Sequence, residues 1–226
     1  MKRMVLVGWM LLSLAVGAMA QTEEPTMAAP VCRPLTCFSL GVHFSFWDAA
    51  DLHDFDIAGA VGGGVIGQVR LHKHLALDLR LSGYASGFSR DVYEEGLGWS
   101  DDDFTLVAMP FELGVVGILP MGQKVSVYGG PGVGYYLFDG QFTRKRGKAT
   151  TIYDVEMADN PGGYLLGGLK MQLTGNLALY CEGKYVWVDT TVRTPARSRD
   201  EWGLHDIRVN LDMSGLMVNA GLLFTF

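Results

Sequence analysis

Apolar and polar residues alternate along most of the chain from residue 38 onward. Residues 75–82, for example, read LALDLRLS, with a leucine at every odd position. A period of two is that of a β-strand, whose successive side chains point to opposite faces. The pattern predicts eight strands, at residues 38–47, 57–71, 75–88, 104–119, 124–138, 161–173, 177–188 and 211–226.

The connections between these segments alternate between short and long. The short ones are 72–74, 120–123 and 174–176, and the long ones are 48–56, 89–103, 139–160 and 189–210. An even strand number with short periplasmic turns and long external loops is typical of bacterial outer-membrane barrels. We therefore predict an all-β fold, an eight-stranded antiparallel up-and-down transmembrane β-barrel, over residues 38–226.

Composition separates a barrel from a soluble sandwich, which would show a similar alternation. Hydrophobic residues make up 49% of the chain, charged residues only 19%, and there are 30 glycines. The polar faces of the predicted strands hold glycine and a few opposed charges. That content suits a crowded barrel interior better than a surface in contact with water.

The N-terminus carries an export signal. Residues 1–20 contain Lys2 and Arg3, an apolar core and a small-residue Ala18-Met19-Ala20 site, which predicts a signal peptide cleaved before Gln21. A short membrane anchor is the alternative. Residues 21–37 are interpreted as a periplasmic lead-in, and the cell outer membrane is the predicted location.

Removal of Lys2 and Arg3 leaves 16 basic residues against 24 acidic ones, a net charge of −8. A chain this acidic is a poor nucleic-acid binder, so nucleic acid is not expected among its partners.

Cysteine use agrees with an oxidising compartment. Cys32 and Cys37 flank a short segment and are a candidate disulfide, with two free thiols as the alternative. Cys181 lies in a strand pattern and is interpreted as a small apolar residue facing lipid.

Two further features concern the strands themselves. Pro110 and Pro131 fall inside predicted strands, where proline cannot donate to the hydrogen-bond ladder, so we expect a bulge or local break there. The outward face carries Tyr185 and Trp187 near one end and Phe224 and Phe226 near the other. Aromatic residues at both ends of the wall are typical of the two membrane interfaces.

The chain resembles the eight-stranded outer-membrane barrel family of the OmpA/OmpX type across roughly residues 38–226. The segments that carry the resemblance are Met109–Phe111, Tyr128–Tyr136 and Gly221–Phe226. The final segment is similar to the signal read by the barrel-assembly machinery, which this resemblance implies as a partner during biogenesis. The matching residues are Ala220, Leu222, Phe224 and Phe226.

Strand parity directs a set of charged residues into the lumen, four positive and three negative. They are Arg70, Asp78, Arg80, Glu112, Lys170, Glu182 and Lys184. Unpaired charges in a narrow, low-dielectric space are very costly, so we expect them to pair. A packed plug is the favoured interpretation, and a narrow pore for ions or small solutes is the alternative.

The predicted loops carry most of the exposed charge. Loops 48–56 and 89–103 are acidic, whereas Arg144, Lys145 and Arg146 form a basic run in the third loop. Outer-membrane lipid and lipopolysaccharide are the expected surroundings. An extracellular ligand of the loops is a further candidate partner.

No catalytic, cofactor-binding or metal-ligating residues are assigned, and no cofactor is expected. Gly62–Gly67 fits a G-x-G-x-x-G pattern, but the alternation continues where a dinucleotide site needs a helix. The sequence therefore predicts a non-enzymatic outer-membrane barrel, a wall protein and surface-interaction scaffold. A lipid A-modifying barrel enzyme is the weaker alternative.

Overall fold

The computed structural model describes residues 37–51, 59–94, 98–147, 149–193 and 208–226. Over these ranges the chain forms eleven strands, and every pairing between them is antiparallel. In chain order they are β1 (Phe38–Ala49), β2 (Ala60–His72), β3 (Leu75–Glu94), β4 (Gly98–Pro120), β5 (Val125–Arg146), β6 (Ala149–Met157), β7 (Asn160–Gln172), β8 (Leu177–Trp187), β9 (Asp189–Arg193), β10 (Arg208–Asp212) and β11 (Gly215–Thr225). No helix in the described ranges is long and apolar enough to cross a membrane.

Eight of the strands close into a ring in the order β1, β2, β3, β4, β5, β7, β8, β11. The ring closes where β11 pairs with β1, from Ser39 opposite Thr225 to Ala49 opposite Gly215. β5 pairs with β7 through its first half, residues 125–136. The predicted eight-stranded barrel is confirmed, and its closure leaves the wall without a free edge.

The paired positions spiral around this ring. A path that starts at Trp187 of β8 and steps from partner to partner through the other seven strands returns to β8 at Leu177, ten residues away. It passes Gly163, Val133, Leu113, Leu79, Gly67, Leu40 and Phe224. Such a stagger tilts the strands by roughly 35–45° to the barrel axis. Eight strands at this tilt leave an interior just wide enough for side chains.

The strands on the external side are longer than the alternation predicted. β3 continues to Glu94 and β4 begins at Gly98, and the two form a hairpin. The predicted loop 89–103 is therefore mostly strand. β5 continues to Arg146 and pairs with β6 in place of most of loop 139–160, and β9 pairs with β10 within 189–210. These three loop predictions were wrong in extent. In the external part of β4 polar residues occupy both faces, including the buried Ser100 and Asp102, so the period of apolar residues no longer reports the strand.

Both prolines coincide with gaps in the strand pairing. Between β3 and β4, residues 82–83 and 109–110 do not pair, and Pro110 lies in this gap. Between β4 and β5, residues 115–116 and 130–131 do not pair, and Pro131 lies there. The register is the same on both sides of each gap. The predicted irregularity is therefore a local break without a bulge, the expected result of a missing N–H donor.

The outward side chains form an apolar belt around the ring, and the inward side chains are buried. The burial pattern of β8 alternates at nearly every residue. The predicted aromatic pairs lie at opposite ends of the belt: Tyr185 and Trp187 at one, Phe224 and Phe226 at the other, each 43–66% exposed. An exposed apolar belt between two aromatic girdles is the surface of a protein embedded in a bilayer.

Inward tyrosines lie against inward glycines, which explains much of the high glycine content. A Cβ atom added at Gly132 would lie 2.1 Å from Cζ of Tyr164, and one at Gly168 would lie 2.9 Å from Cζ of Tyr128. The contacts of this kind are Gly62 with Tyr84, Gly168 with Tyr128, Gly162 with Tyr136, Gly132 with Tyr164 and Gly221 with Tyr180. Each tyrosine ring occupies the space that a side chain would need at the glycine of the neighbouring strand.

Substitution of one of these glycines is expected to destabilise the barrel. In Gly132→Val the new side chain meets the Tyr164 ring, and overpacking of this kind costs about 1–3 kcal/mol. Gly167→Val is the matched control, because a Cβ atom there has no neighbour within 4 Å. Urea unfolding in lipid vesicles, followed by tryptophan fluorescence, measures both. Equal midpoints for the two variants would contradict the packing role of Gly132.

The N-terminal predictions lie largely beyond the described ranges. The signal peptide at 1–20 and nearly all of the lead-in at 21–37 fall outside them, as does Cys32. Cys37 is disulfide-bonded, and its pairing with Cys32 stays a prediction. Cys181 is a free thiol on the exposed face of β8, as the strand pattern predicted.

Candidate functional site

The centre of the lumen holds a buried ion pair between Arg80 of β3 and two carboxylates. Arg80 Nε donates to Asp78 Oδ1 at 2.8 Å, and Nη2 donates to Asp78 Oδ2 at 3.0 Å. The guanidinium also donates to both oxygens of Glu182 on β8, with Nη2 lying 3.0 Å from Oε2. All three residues are at most 3% exposed. The planar fork of arginine suits two carboxylates held in this way.

A second buried pair lies beside the first. Lys184 Nζ of β8 donates to both carboxylate oxygens of Glu112 on β4 at 2.7 Å. Tyr136 also donates its hydroxyl to Glu112 Oε1 at 2.8 Å, and the Lys184 ammonium lies 5.2 Å from the centre of the Tyr164 ring. We call Asp78, Arg80, Glu112, Glu182 and Lys184 the ion-pair layer.

Neutral side chains complete the hydrogen bonding of this layer. Glu182 accepts bonds from the Tyr128 hydroxyl at 2.7 Å and from Asn219 Nδ2 at 2.8 Å. Gln68 Nε2 donates to Asp78 Oδ2 at 2.9 Å. Buried ions cost several kcal/mol each in desolvation, and such additional bonds are what offsets that cost.

An apolar layer of aromatic rings lies on the external side of the ion pairs. Trp47 of β1, with no measurable exposure, packs its ring 5.4 Å from Tyr84, 6.3 Å from Tyr136 and 6.5 Å from Phe138. We call Trp47, Tyr84, Tyr136 and Phe138 the aromatic layer. Tyr136 joins it to the ion-pair layer through its bond to Glu112.

The two layers close the lumen to water. Side chains that line a water-filled path are in contact with solvent, yet the ion-pair layer is 0–3% exposed and the aromatic layer 0–6%. Each charged group of the ion-pair layer is already bonded to another, so none is free to bind a permeating ion. The arrangement therefore fixes the relative positions of β3, β4 and β8 from inside.

The structure brings five of the seven predicted lumen residues together. Arg70 and Lys170 are the other two, and they lie half-buried near the periplasmic end. Lys170 Nζ reaches Gln68 Oε1 at 2.9 Å. The sequence-based prediction considered only charged residues and so missed the neutral members of the network, which are Gln68, Tyr128, Tyr136 and Asn219. Strand parity also directs these four residues inward and could have identified them as candidates.

The external hairpins carry a ladder of ion pairs between β4 and β5, of which the Arg144 pair is largely buried and the Lys145 pairs are exposed. Arg144 donates to Asp102 at 2.7 and 2.5 Å, and Lys145 Nζ donates to Asp103 Oδ2 at 2.7 Å. The bond from Lys145 lowers the pKa of the Asp103 carboxyl below its ordinary value, and the same bond raises the pKa of Lys145. Arg144 and Lys145 are thus neutralised by the aspartates beside them.

Comparisons with known proteins support the fold. The chain is similar to the outer membrane protein OprG from Pseudomonas aeruginosa, with 14% identity, a TM-score of 0.61, and coverage of 84% of this chain and 95% of that one. It is also similar to the outer membrane protein AlkL, with 15% identity, a TM-score of 0.50, and coverage of 91% and 97%. No family model and no curated protein sequence matches the chain.

At these identities the likeness establishes the fold, which is that of an outer-membrane β-barrel. Both neighbours are outer membrane proteins, in agreement with the predicted location and with the apolar belt. Their activities do not transfer to this chain.

Proposed function

We propose that the protein is a non-enzymatic outer-membrane barrel, a wall protein that presents its external hairpins as a contact surface. The observation that carries this proposal is the filled lumen: two buried layers close it, while the wall continues outward as three hairpins. Exposed segments on a rigid scaffold are where recognition usually occurs. The lumen then serves to hold the scaffold rigid.

The hairpin β3–β4 offers the clearest contact site. At its end Tyr93 and Trp99 are 60% and 67% exposed, with ring centres 5.2 Å apart. We call these two residues the aromatic tip. A band of aspartates on the same hairpin separates the tip from the apolar belt, so bilayer lipid does not explain its exposure. Tyrosine and tryptophan are the residues most enriched where protein surfaces bind partners.

The contact role predicts that cells displaying the protein attach to a coated surface through the aromatic tip. Suitable coatings are collagen, heparin and neutral dextran, compared with cells that carry the empty vector. The variant Y93A/W99A is expected to lose attachment, because it removes the exposed rings. The exposed pair T150A/T151A on β6 is the matched control. Attachment to none of the coatings, or attachment unchanged by Y93A/W99A, would contradict this role.

The alternative of a narrow pore predicts a different electrical result. We expect the refolded protein to give no discrete conductance steps in a planar bilayer, because both lumen layers are dry. Folding is checked first by the shift of gel mobility on heating. Charge-selective steps that change in Arg80→Ala and Glu112→Ala would establish the pore and overturn the packed plug.

Two partners are proposed from the wall itself. The outward residues Ala220, Leu222 and Phe224 of β11 lie opposite β1 at the closure of the ring. Together with Phe226 they fit the proposed contact with the barrel-assembly machinery. The apolar belt fits outer-membrane lipid, and the external hairpins lie at the level of lipopolysaccharide. For the enzyme alternative, a lipid A mass spectrum altered by expression of the protein would count in its favour.

A further inference from the structure

The periplasmic end of the barrel carries basic side chains along one half of its circumference. They come from the end of β2, the β2–β3 turn and the β4–β5 turn, and all are exposed. We call this set the basic rim: His72, Lys73, His74 and Lys124. The other half, formed by β8, β11 and β1, presents neutral residues at this level, among them Ser39, Asn176 and Thr225.

Backbone contacts between the turns hold the rim together. Ile118 N of β4 donates to the carbonyl of His74 at 2.9 Å, which joins the β2–β3 turn to the neighbouring strand. Gln172 N at the end of β7 donates to the carbonyl of Lys124 at 2.7 Å. The two turns that carry the rim are therefore held beside β4 and β7 by backbone hydrogen bonds.

Neither rim lysine takes part in an ion pair within the described part of the chain, whereas Arg80, Lys184, Arg144 and Lys145 pair with carboxylates there. At the periplasmic end Asp78 is buried and bonded to Arg80. Lys73 and Lys124 are both exposed, so an external anion can reach them.

The height of the rim identifies the kind of anion. Leu71 and Leu119 border it with 37% and 65% exposure, and Met121 in the β4–β5 turn is 64% exposed. The apolar belt thus ends where the cations begin. Lysine and arginine at such a boundary bury their aliphatic stems and extend their charged ends to the level of the lipid headgroups.

We propose that the basic rim binds the phosphate groups of anionic phospholipids in the periplasmic leaflet and enriches those lipids on one side of the barrel. This inference rests on the proposed outer-membrane setting. It does not depend on the contact role of the external hairpins. A basic side chain next to an anionic lipid surface strengthens the attraction about fivefold, so the exposed members of the rim act together.

The test measures which lipids stay with the protein. The refolded mature chain is placed in nanodiscs of phosphatidylcholine with one part in five phosphatidylglycerol, and is then extracted in mild detergent. Mass spectrometry of the retained lipid gives the ratio of the two. We expect several-fold enrichment of phosphatidylglycerol at low salt and its loss in about 0.5 M salt, where screening is strong. The variant K73Q/K124Q should lower the ratio to near that of the bulk lipid.

The control removes the same number of charges from the external side, as R144Q/K145Q, and should keep the enrichment. A wild-type ratio equal to the bulk, or enrichment that persists in the rim variant, would overturn the proposal. So would retention on purified peptidoglycan with an unchanged lipid ratio, which would favour the cell wall as partner. If the double variant does not refold, the exposed single changes Lys73→Gln and Lys124→Gln are each expected to lower the enrichment. Failure here leaves the attachment and conductance results unaffected.

Discussion

Replacement of Arg80 by methionine is expected to destabilise the barrel by about 3–5 kcal/mol. The substitution leaves Asp78 and Glu182 buried without the cation that both contact. A buried carboxylate in this position has lost its partner but still bears the full cost of desolvation. Urea unfolding of the protein in lipid vesicles measures the loss as a shift in the midpoint.

Two comparisons make this result specific. Lys145→Met removes a cation from an exposed pair and should leave the midpoint close to that of the wild type. The variant D78N/R80M/E182Q removes all three charges at once and should recover much of the stability, because no ion remains unpaired. Equal effects of Arg80→Met and Lys145→Met would show that the ion-pair layer does not stabilise the fold.

Replacement of Trp47 by alanine is expected to cost a similar amount, about 3–5 kcal/mol. Trp47 is fully buried and contacts three other rings of the aromatic layer, so truncation leaves a cavity that the rigid wall cannot close. The same urea unfolding experiment measures the loss.

Trp99→Ala is the matched control for this variant, because Trp99 is 67% exposed at the end of a hairpin. We expect it to change the free energy of unfolding by less than about 0.5 kcal/mol. If Trp47→Ala behaves in the same way, the aromatic layer is not a packed core. The expected absence of conductance steps in a planar bilayer would then rest on the ion-pair layer alone.

The strands of the barrel wall were predictable because their two faces meet different environments. Lipid on one face and a packed lumen on the other impose strict alternation, so the eight strands and the lumen-facing parity of Arg80 and Glu182 follow from the pattern. The prolines were predictable as irregularities for the same local reason, the missing N–H. The external hairpins were not predictable in extent, because polar residues such as Ser100 and Asp102 occupy their inward face as well, so the apolar alternation stops.

The sequence identified which charges enter the lumen but not how they pair. Asp78 and Glu182 are 104 positions apart, yet they share one guanidinium. Which carboxylate meets which cation depends on the ten-residue stagger of the closed ring, a property of all eight strands together. The neutral members of the network were missed because parity directs many neutral residues inward and does not indicate which of them bond to the charged groups.

The sequence by itself determined that this chain builds a closed eight-stranded wall, because the period-two pattern and the alternating connection lengths are local properties. Only the tertiary structure decided that the lumen is filled, with Tyr164 against Gly132 and Trp47 above the ion pairs. It also decided that the two basic turns of the periplasmic end lie beside each other. These features depend on the curvature and register of the ring, which bring distant residues together after the wall has closed.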